Sequence, residues 1–111
     1  MESIEAIEGL AALAQSTRLD VFRVLVRHEP DGLSAGSLAR MLDVPPNTLS
    51  SHLAVMARAG LVRSRRDSRS IIYRAELERL QGLVLFLLAD CCQGRSEVCD
   101  PLLARFSPCP A

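Results

Sequence analysis

Three thiols stand close together near the end of this chain. Cys91 and Cys92 are adjacent in the stretch ADCCQGRSEVC, Cys99 follows, and Cys109 stands near the end of the sequence. The N-terminal MESIEAIEGL is acidic and lacks the basic, apolar and cleavage-site regions of a secretory signal, so a cytosolic home is expected. In that compartment structural disulfides are disfavoured, and cysteines read as metal ligands, reactive thiols or buried apolar residues. Apolar packing suits Cys91 and Cys92 at the end of an apolar helix but not Cys99, set between Glu97 and Asp100 in a polar stretch. Thiolates without nitrogen or oxygen co-ligands select soft, thiophilic ions. Zinc would want a fourth ligand, which Cys109 could supply. A peroxide-reactive thiol needs a nearby cation or a helix N-terminus to lower its pKa. The neighbours here are Asp90, Glu97 and Asp100 at a helix C-terminus, with Arg95 alone opposing them. Metal coordination drives thiol deprotonation by itself, so the local charges favour a metal over peroxide.

The elements that would carry these thiols follow from the hydrophobic pattern. The chain has 111 residues, suited to one domain, with 49% apolar content and few aromatics, so its core must be aliphatic. Ile4, Ile7, Leu10, Ala11 and Ala14 recur at helical spacing and predict a first helix. A second helix starts at Ser16 as N-cap, carries Leu19, Val21, Phe22, Leu25 and Val26, and ends at Pro30-Asp31-Gly32. A third begins near Ser34, with Leu38, Ala39 and Leu42 on one side, and the residues Asp43-Val44-Pro45-Pro46 form a short turn. Leu49, Leu53 and Met56 anchor a fourth helix, which Gly60 closes. Two helices joined by a tight turn make a helix-turn-helix. LVRSRR and RSIIYR predict a hairpin with its turn at Asp67-Ser68. A last helix spans about residues 76–92, with Leu77, Leu80, Val84 and Leu87 in register. From Leu83 to Ala89 it is apolar on every side, which in so small a chain calls for a partner subunit. The run is far too short to span a bilayer.

Formal net charge is zero, yet all 13 basic residues are Arg, the side chain suited to bidentate contact with phosphate or guanine. Arg63, Arg65, Arg66, Arg69 and Arg74 cluster on the hairpin against one acid, Asp67. On the fourth helix, counting 100° per residue from Leu49 places Asn47, Ser51, Ala54 and Arg58 opposite the apolar stripe, with Thr48 and Ser50 on the flanks. A helix entering a major groove needs such short side chains and donors. Candidate DNA contacts are therefore Asn47, Thr48, Ser50, Ser51 and Arg58 on the helix and Arg65, Arg66 and Arg69 on the wing. His52 lies at the edge of the buried stripe, where a structural hydrogen bond is at least as good a reading as DNA contact. A small thiol reductase would need a cysteine at a loop-to-helix N-terminus, and no cysteine here has that setting.

These segments also resemble a known family. SLARMLDVPPNTLSSHLAVMARAGLVRSRRDSRSIIYRA is similar to the ArsR/SmtB metal-responsive winged-helix repressors, most specifically in LSSHLAVMARAGLV and the basic wing ending at Tyr73. LAQSTRLDVFRVL resembles the family's second helix, and the likeness covers roughly residues 8–90. It implies a mainly α fold with a small β-hairpin: a winged helix-turn-helix with flanking dimerisation helices over residues 1–92, then a cysteine-containing tail over 93–111. It implies a homodimer joined through Ile4, Ile7, Leu80, Leu83, Val84 and Leu87, bound to double-stranded operator DNA without a required cofactor. It also implies repression relieved by an inducing metal or metalloid. One family arsenic site puts cysteines on the third helix, where this chain has Ser34 and Gly36, and a family zinc site needs His on the last helix, which has none. The cluster left resembles the branch with an arsenic site at the end of the last helix. Trivalent arsenic or antimony takes three sulfurs in a pyramid, so the implied ligands of As(III) or Sb(III) are Cys91, Cys92 and Cys99. Zinc, cadmium, lead or thiol oxidation are the alternatives.

Overall fold

The computed structural model describes residues 1–89. Cys91, Cys92, Cys99, Cys109 and the proposed 93–111 tail lie outside the described residues. Five helices and three short strands run in the order α1 (Ser3–Leu13), α2 (Ser16–Arg27), β1 (Leu33–Ser34), α3 (Ala35–Leu42), α4 (Pro46–Arg58), β2 (Val62–Asp67), β3 (Ser70–Ala75) and α5 (Leu77–Ala89). This is the expected winged helix-turn-helix, mainly helical, with helices flanking it at both ends.

Local signals set most of the boundaries. Glu5 accepts a hydrogen bond from the Glu2 amide at 3.3 Å at the start of α1. Ser34 Oγ accepts from the Ser37 amide at 3.1 Å and caps α3. The turn between α3 and α4 is made by Asp43 in the left-handed region, φ 53°, and by Pro46 in the first turn of α4. Gly60, at φ 78°, stops α4, and the Leu61 amide reaches back to the Met56 carbonyl at 3.0 Å.

The core is aliphatic, as composition requires. Val21 and Leu25 of α2, Leu38 of α3, Leu49, Leu53 and Met56 of α4, and Leu61 after it are almost wholly buried. Phe22 of α2 and the paired Val62 of β2 and Ala75 of β3 complete it. The stripes of α2, α3 and α4 thus converge on one another, which aims the opposite face of α4 at solvent.

Several local expectations change. The N-cap of α2 is Gln15 rather than Ser16, its side chain accepting from the Arg18 amide at 2.9 Å. Leu19, placed in the α2 stripe, is exposed. The wing turn is Ser68-Arg69, one residue later than Asp67-Ser68, because Asp67 pairs with Ser70 across the ladder. Ser68 takes φ 57° to close it, which removes Arg69 from the strand and puts it at the tip. The sheet also gains a third strand: Leu33 and Ser34 pair antiparallel with Tyr73 and Ile72, giving the order β1-β3-β2.

The apolar run of α5 is not buried within one chain. Leu85 is 66% exposed, and Val84, Phe86 and Leu87 are exposed too. Leu83 differs from the interface position expected of it, being 2% exposed and turned inward. A Cβ on Gly9 of α1 would lie 3.2 Å from Leu83, so the missing side chain at Gly9 lets α5 pack closely on α1. No helix among the described residues is long and apolar enough to cross a membrane.

Candidate nucleic-acid interface

The geometry of α4 follows from its sequence. Leu49, Leu53 and Met56 recur at helical spacing and are buried, so the intervening positions point outward. Asn47, Thr48, Ser50, Ser51, Ala54 and Arg58 are all exposed. Ser51 Oγ donates to the Asn47 carbonyl at 3.3 Å, leaving its lone pairs outward. No side chain caps the N-terminus of α4. Asn47, Thr48, Ser50 and Ser51 therefore form one patch around its first two turns. Arg58 stands apart, about 10 Å beyond Ser51 along the axis at the far end of α4. It lines an open cleft of about 450 Å³ between α1 and α4, with Glu8, Ala11, Ala12, Arg18, Val55 and Ala59.

The wing divides its five arginines into two groups. At the base, Arg74 makes a bidentate contact with Glu29, Nη2 to Oε2 at 2.7 Å and Nε to Oε1 at 3.2 Å. This holds the Glu29 carboxyl below its ordinary range, against the opposing effect of burial, and raises Arg74. Arg63 is paired across the ladder with Arg74 and contacts Glu76 at 3.1 Å. Toward the tip, Arg65, Arg66 and Arg69 are exposed and have no ion pair among the described residues. Alternation puts Arg65 on the face of Arg63 and Arg66 on the other, while Arg69 sits in the turn. Zero net charge at the level of the chain thus conceals a local excess of positive charge at the wing tip.

Two further arginines were not assigned from the sequence. Arg40 is exposed on α3, beside Ser37 at 3.4 Å, on the helix that in helix-turn-helix proteins crosses the phosphate backbone. Its only sequence signal is a cation on the polar side of α3. Arg18, inside the LAQSTRLDVFRVL segment, bonds His52 of α4 at 3.2 Å. The structural reading of His52 is therefore satisfied, by a partner 34 positions away in sequence that periodicity cannot reveal.

Of the residues assigned to a subunit interface, Ile4 and Ile7 on α1 are 62% and 64% exposed, Val84 and Leu87 on α5 are exposed, Leu80 is half-buried and Leu83 is internal. Glu5 of α1 and Arg79 of α5 form an ion pair at 2.8 Å. The Glu5 carboxyl is held low, first by the Glu2 amide and then by Arg79. The Arg79 guanidinium also lies over Gly60, where a Cβ would come within 2.7 Å of it. One side chain thus touches α1 and the turn that ends α4. Among the described residues no three His, Cys, Asp or Glu come together to hold a metal.

Known proteins match this arrangement. A helix-turn-helix domain model matches residues 13–65. The chain is 31% identical over 92 residues to the transcriptional activator HlyU of Vibrio cholerae, covering 83% of this chain and 82% of HlyU. It is 38% identical over 79 residues to the HTH-type transcriptional regulator KmtR of Mycobacterium tuberculosis, covering 71% of this chain and 58% of KmtR. Among solved structures, an ArsR-like transcriptional regulator from Rhodococcus is 31% identical with a TM-score of 0.65, covering 91% of this chain and 88% of that one. A possible transcriptional regulator for arsenical resistance is 27% identical with a TM-score of 0.65, covering 91% of this chain and 98% of that one. The helix-turn-helix model ends within β2, while the likeness to the ArsR-like regulator extends over 91% of the chain, and the chain belongs to the ArsR/SmtB family of winged-helix transcriptional regulators, DNA-binding proteins rather than enzymes.

Proposed function

We propose that this regulator is an arsenic(III)- or antimony(III)-responsive repressor. As a homodimer it places two α4 helices on a roughly palindromic operator, with the wings on the flanking backbone, and it leaves the DNA when the metalloid binds Cys91, Cys92 and Cys99. The observation that carries the DNA-binding half is the pairing of a small polar face on α4 with three exposed arginines at the wing tip that have no ion pair among the described residues. Asn47, Thr48, Ser50 and Ser51 meet base edges and phosphates, while Arg65, Arg66 and Arg69 meet phosphate. The homodimer covers the apolar faces of α1 and α5, where Ile4, Ile7, Val84 and Leu87 otherwise meet water.

The inducer half is supported by the donor set. Cys91 and Cys92 follow the apolar run of α5 after Asp90, and six residues separate Cys92 from Cys99, enough chain to fold back onto them. A three-sulfur shell suits a trivalent metalloid. The likeness to a possible regulator for arsenical resistance points the same way. Tightening at the end of α5 has a physical route to the DNA-reading head. Leu83 bears on Gly9, and Arg79 joins Glu5 to the turn at Gly60. Linkage then requires DNA and metalloid to weaken each other by the same factor.

The test is fluorescence anisotropy of the reduced protein on its own promoter DNA, titrated in parallel with arsenite, zinc and peroxide. Release by arsenite alone is expected, and Cys99→Ser should keep DNA binding while blunting release. Binding that ignores arsenite but answers to zinc or peroxide overturns the metalloid assignment and leaves the DNA-binding half standing.

A further inference from the structure

Arg18 joins three helices through one side chain. It stands in the first turn of α2, its Nε donates to the Ala12 carbonyl at the end of α1 at 2.5 Å, and its Nη1 meets His52 Nδ1 on α4 at 3.2 Å. Its own amide is taken by Gln15. A guanidinium has donors and no acceptor, so His52 Nδ1 must be the accepting nitrogen. The ring proton is then left on Nε2. Every buried side-chain nitrogen or oxygen among the described residues has a partner. Nε2 bonds none of those residues, and His52 is only half-buried, so Nε2–H opens to solvent. His52 lies one turn after the exposed Thr48, on the flank of α4 nearest the protein body. A donor on that flank meets the wall of a groove rather than its floor, and the wall is lined with phosphate.

We infer that His52 Nε2–H is a phosphate-binding donor of the DNA-reading helix, and that Arg18 is the positioning residue that fixes its tautomer and orientation. The pair presents a preset donor, so no rotamer or tautomer choice is left to be made on binding DNA. A phosphate contact carries no sequence information, so its loss weakens operator and non-operator DNA alike. This rests on α4 being the helix that faces DNA.

The experiment combines imidazole nitrogen NMR on the whole reduced protein with anisotropy on operator and scrambled duplexes. The His52 ring should show its proton on Nε2, and Arg18→Met should release it into mixed tautomers. His52→Phe should weaken both duplexes by roughly tenfold, the scale of one hydrogen bond to a charged group. Adding Arg18→Met to His52→Phe should cost no further affinity, because Arg18 acts through His52. A proton on Nδ1, unchanged affinity of His52→Phe, a loss confined to the operator, or full additivity of the two substitutions each overturns the assignment. The NMR result and His52→Phe decide the matter even if Arg18→Met does not fold. Ser51→Glu, which puts a carboxylate on the outward face of α4, separates the underlying reading: if it leaves DNA binding intact, α4 is not the DNA-facing helix, whatever tautomer His52 adopts.

Discussion

The base and the tip of the wing use the same residue type for opposite ends. At the base, Arg74 is half-buried against Glu29 with two hydrogen bonds, and Arg63 lies beside it on Glu76. At the tip, Arg65, Arg66 and Arg69 stand in solvent without an ion pair among the described residues. A guanidinium whose donors are taken by a carboxylate contributes little further attraction to a phosphate. One with free donors attracts it fully and releases counterions when it binds. Counting arginines along the hairpin therefore overstates its DNA-binding charge, and the difference lies in two acids, Glu29 in the turn after α2 and Glu76 just before α5.

The largest effect that would break this comparison belongs to the tip. Replacing Arg65, Arg66 and Arg69 together by alanine should lower operator affinity by roughly a hundredfold or more near physiological salt. The slope of log affinity against log salt should fall by about 0.9 for each phosphate that is no longer neutralised. Thermal stability should hardly move, since these side chains touch little. Anisotropy across a salt series checks the first and a thermal melt the second.

Arg74→Ala should do the reverse. It leaves the Glu29 carboxylate half-buried without its partner, so the melting midpoint should drop by several degrees while the salt slope keeps its wild-type value. A fall in the salt slope comparable to the tip variant would show that the base arginines touch phosphate after all.

A smaller effect follows from acid. The Glu29 carboxyl is held below its ordinary value near 4.5 by Arg74. Its contribution to stability is then complete above that value and is lost as pH falls through the lower folded one. Melting midpoints measured from neutral pH down through the carboxylate range should decline less steeply in Glu29→Gln than in the wild type. An identical acid limb in both proteins would place the acid sensitivity elsewhere, with Glu5 the next candidate because it too is held low.

The smallest effect is expected from Arg63→Ala. Its side chain is 58% exposed and its contact with Glu76 is a surface pair, so stability should change by about 0.5 kcal/mol or less. A chemical denaturation curve resolves this, and a loss as large as that of Arg74→Ala would erase the distinction between a committed and a superficial ion pair.

Periodicity and capping residues determined the helices, their order, the turn between α3 and α4, and the outward face of α4. These are local properties, set by side-chain spacing and by residues such as Ser34, Pro46 and Gly60 whose own backbone preferences punctuate the chain. What differs locally differs by a residue or two: Gln15 caps in place of Ser16, because its longer side chain reaches forward to accept from the Arg18 amide. The wing turn slipped by one position because Asp-Ser and Ser-Arg are both weak turn signals, and the ladder pairing rather than the dipeptide chose between them.

The tertiary structure decided everything that depends on a distant partner. Two residues cannot announce a strand, so β1 exists only because the edge of β3 accepts Leu33 and Ser34. Leu83 and Leu87 are the same residue type on one helix, yet Gly9 makes room for the first while the second is left facing water. Arg65 and Arg74 are alike in sequence, and Glu29 separates them across 45 positions of chain. Spacing along the chain dictates which face a side chain takes. Which neighbour waits on that face is fixed only when the elements pack.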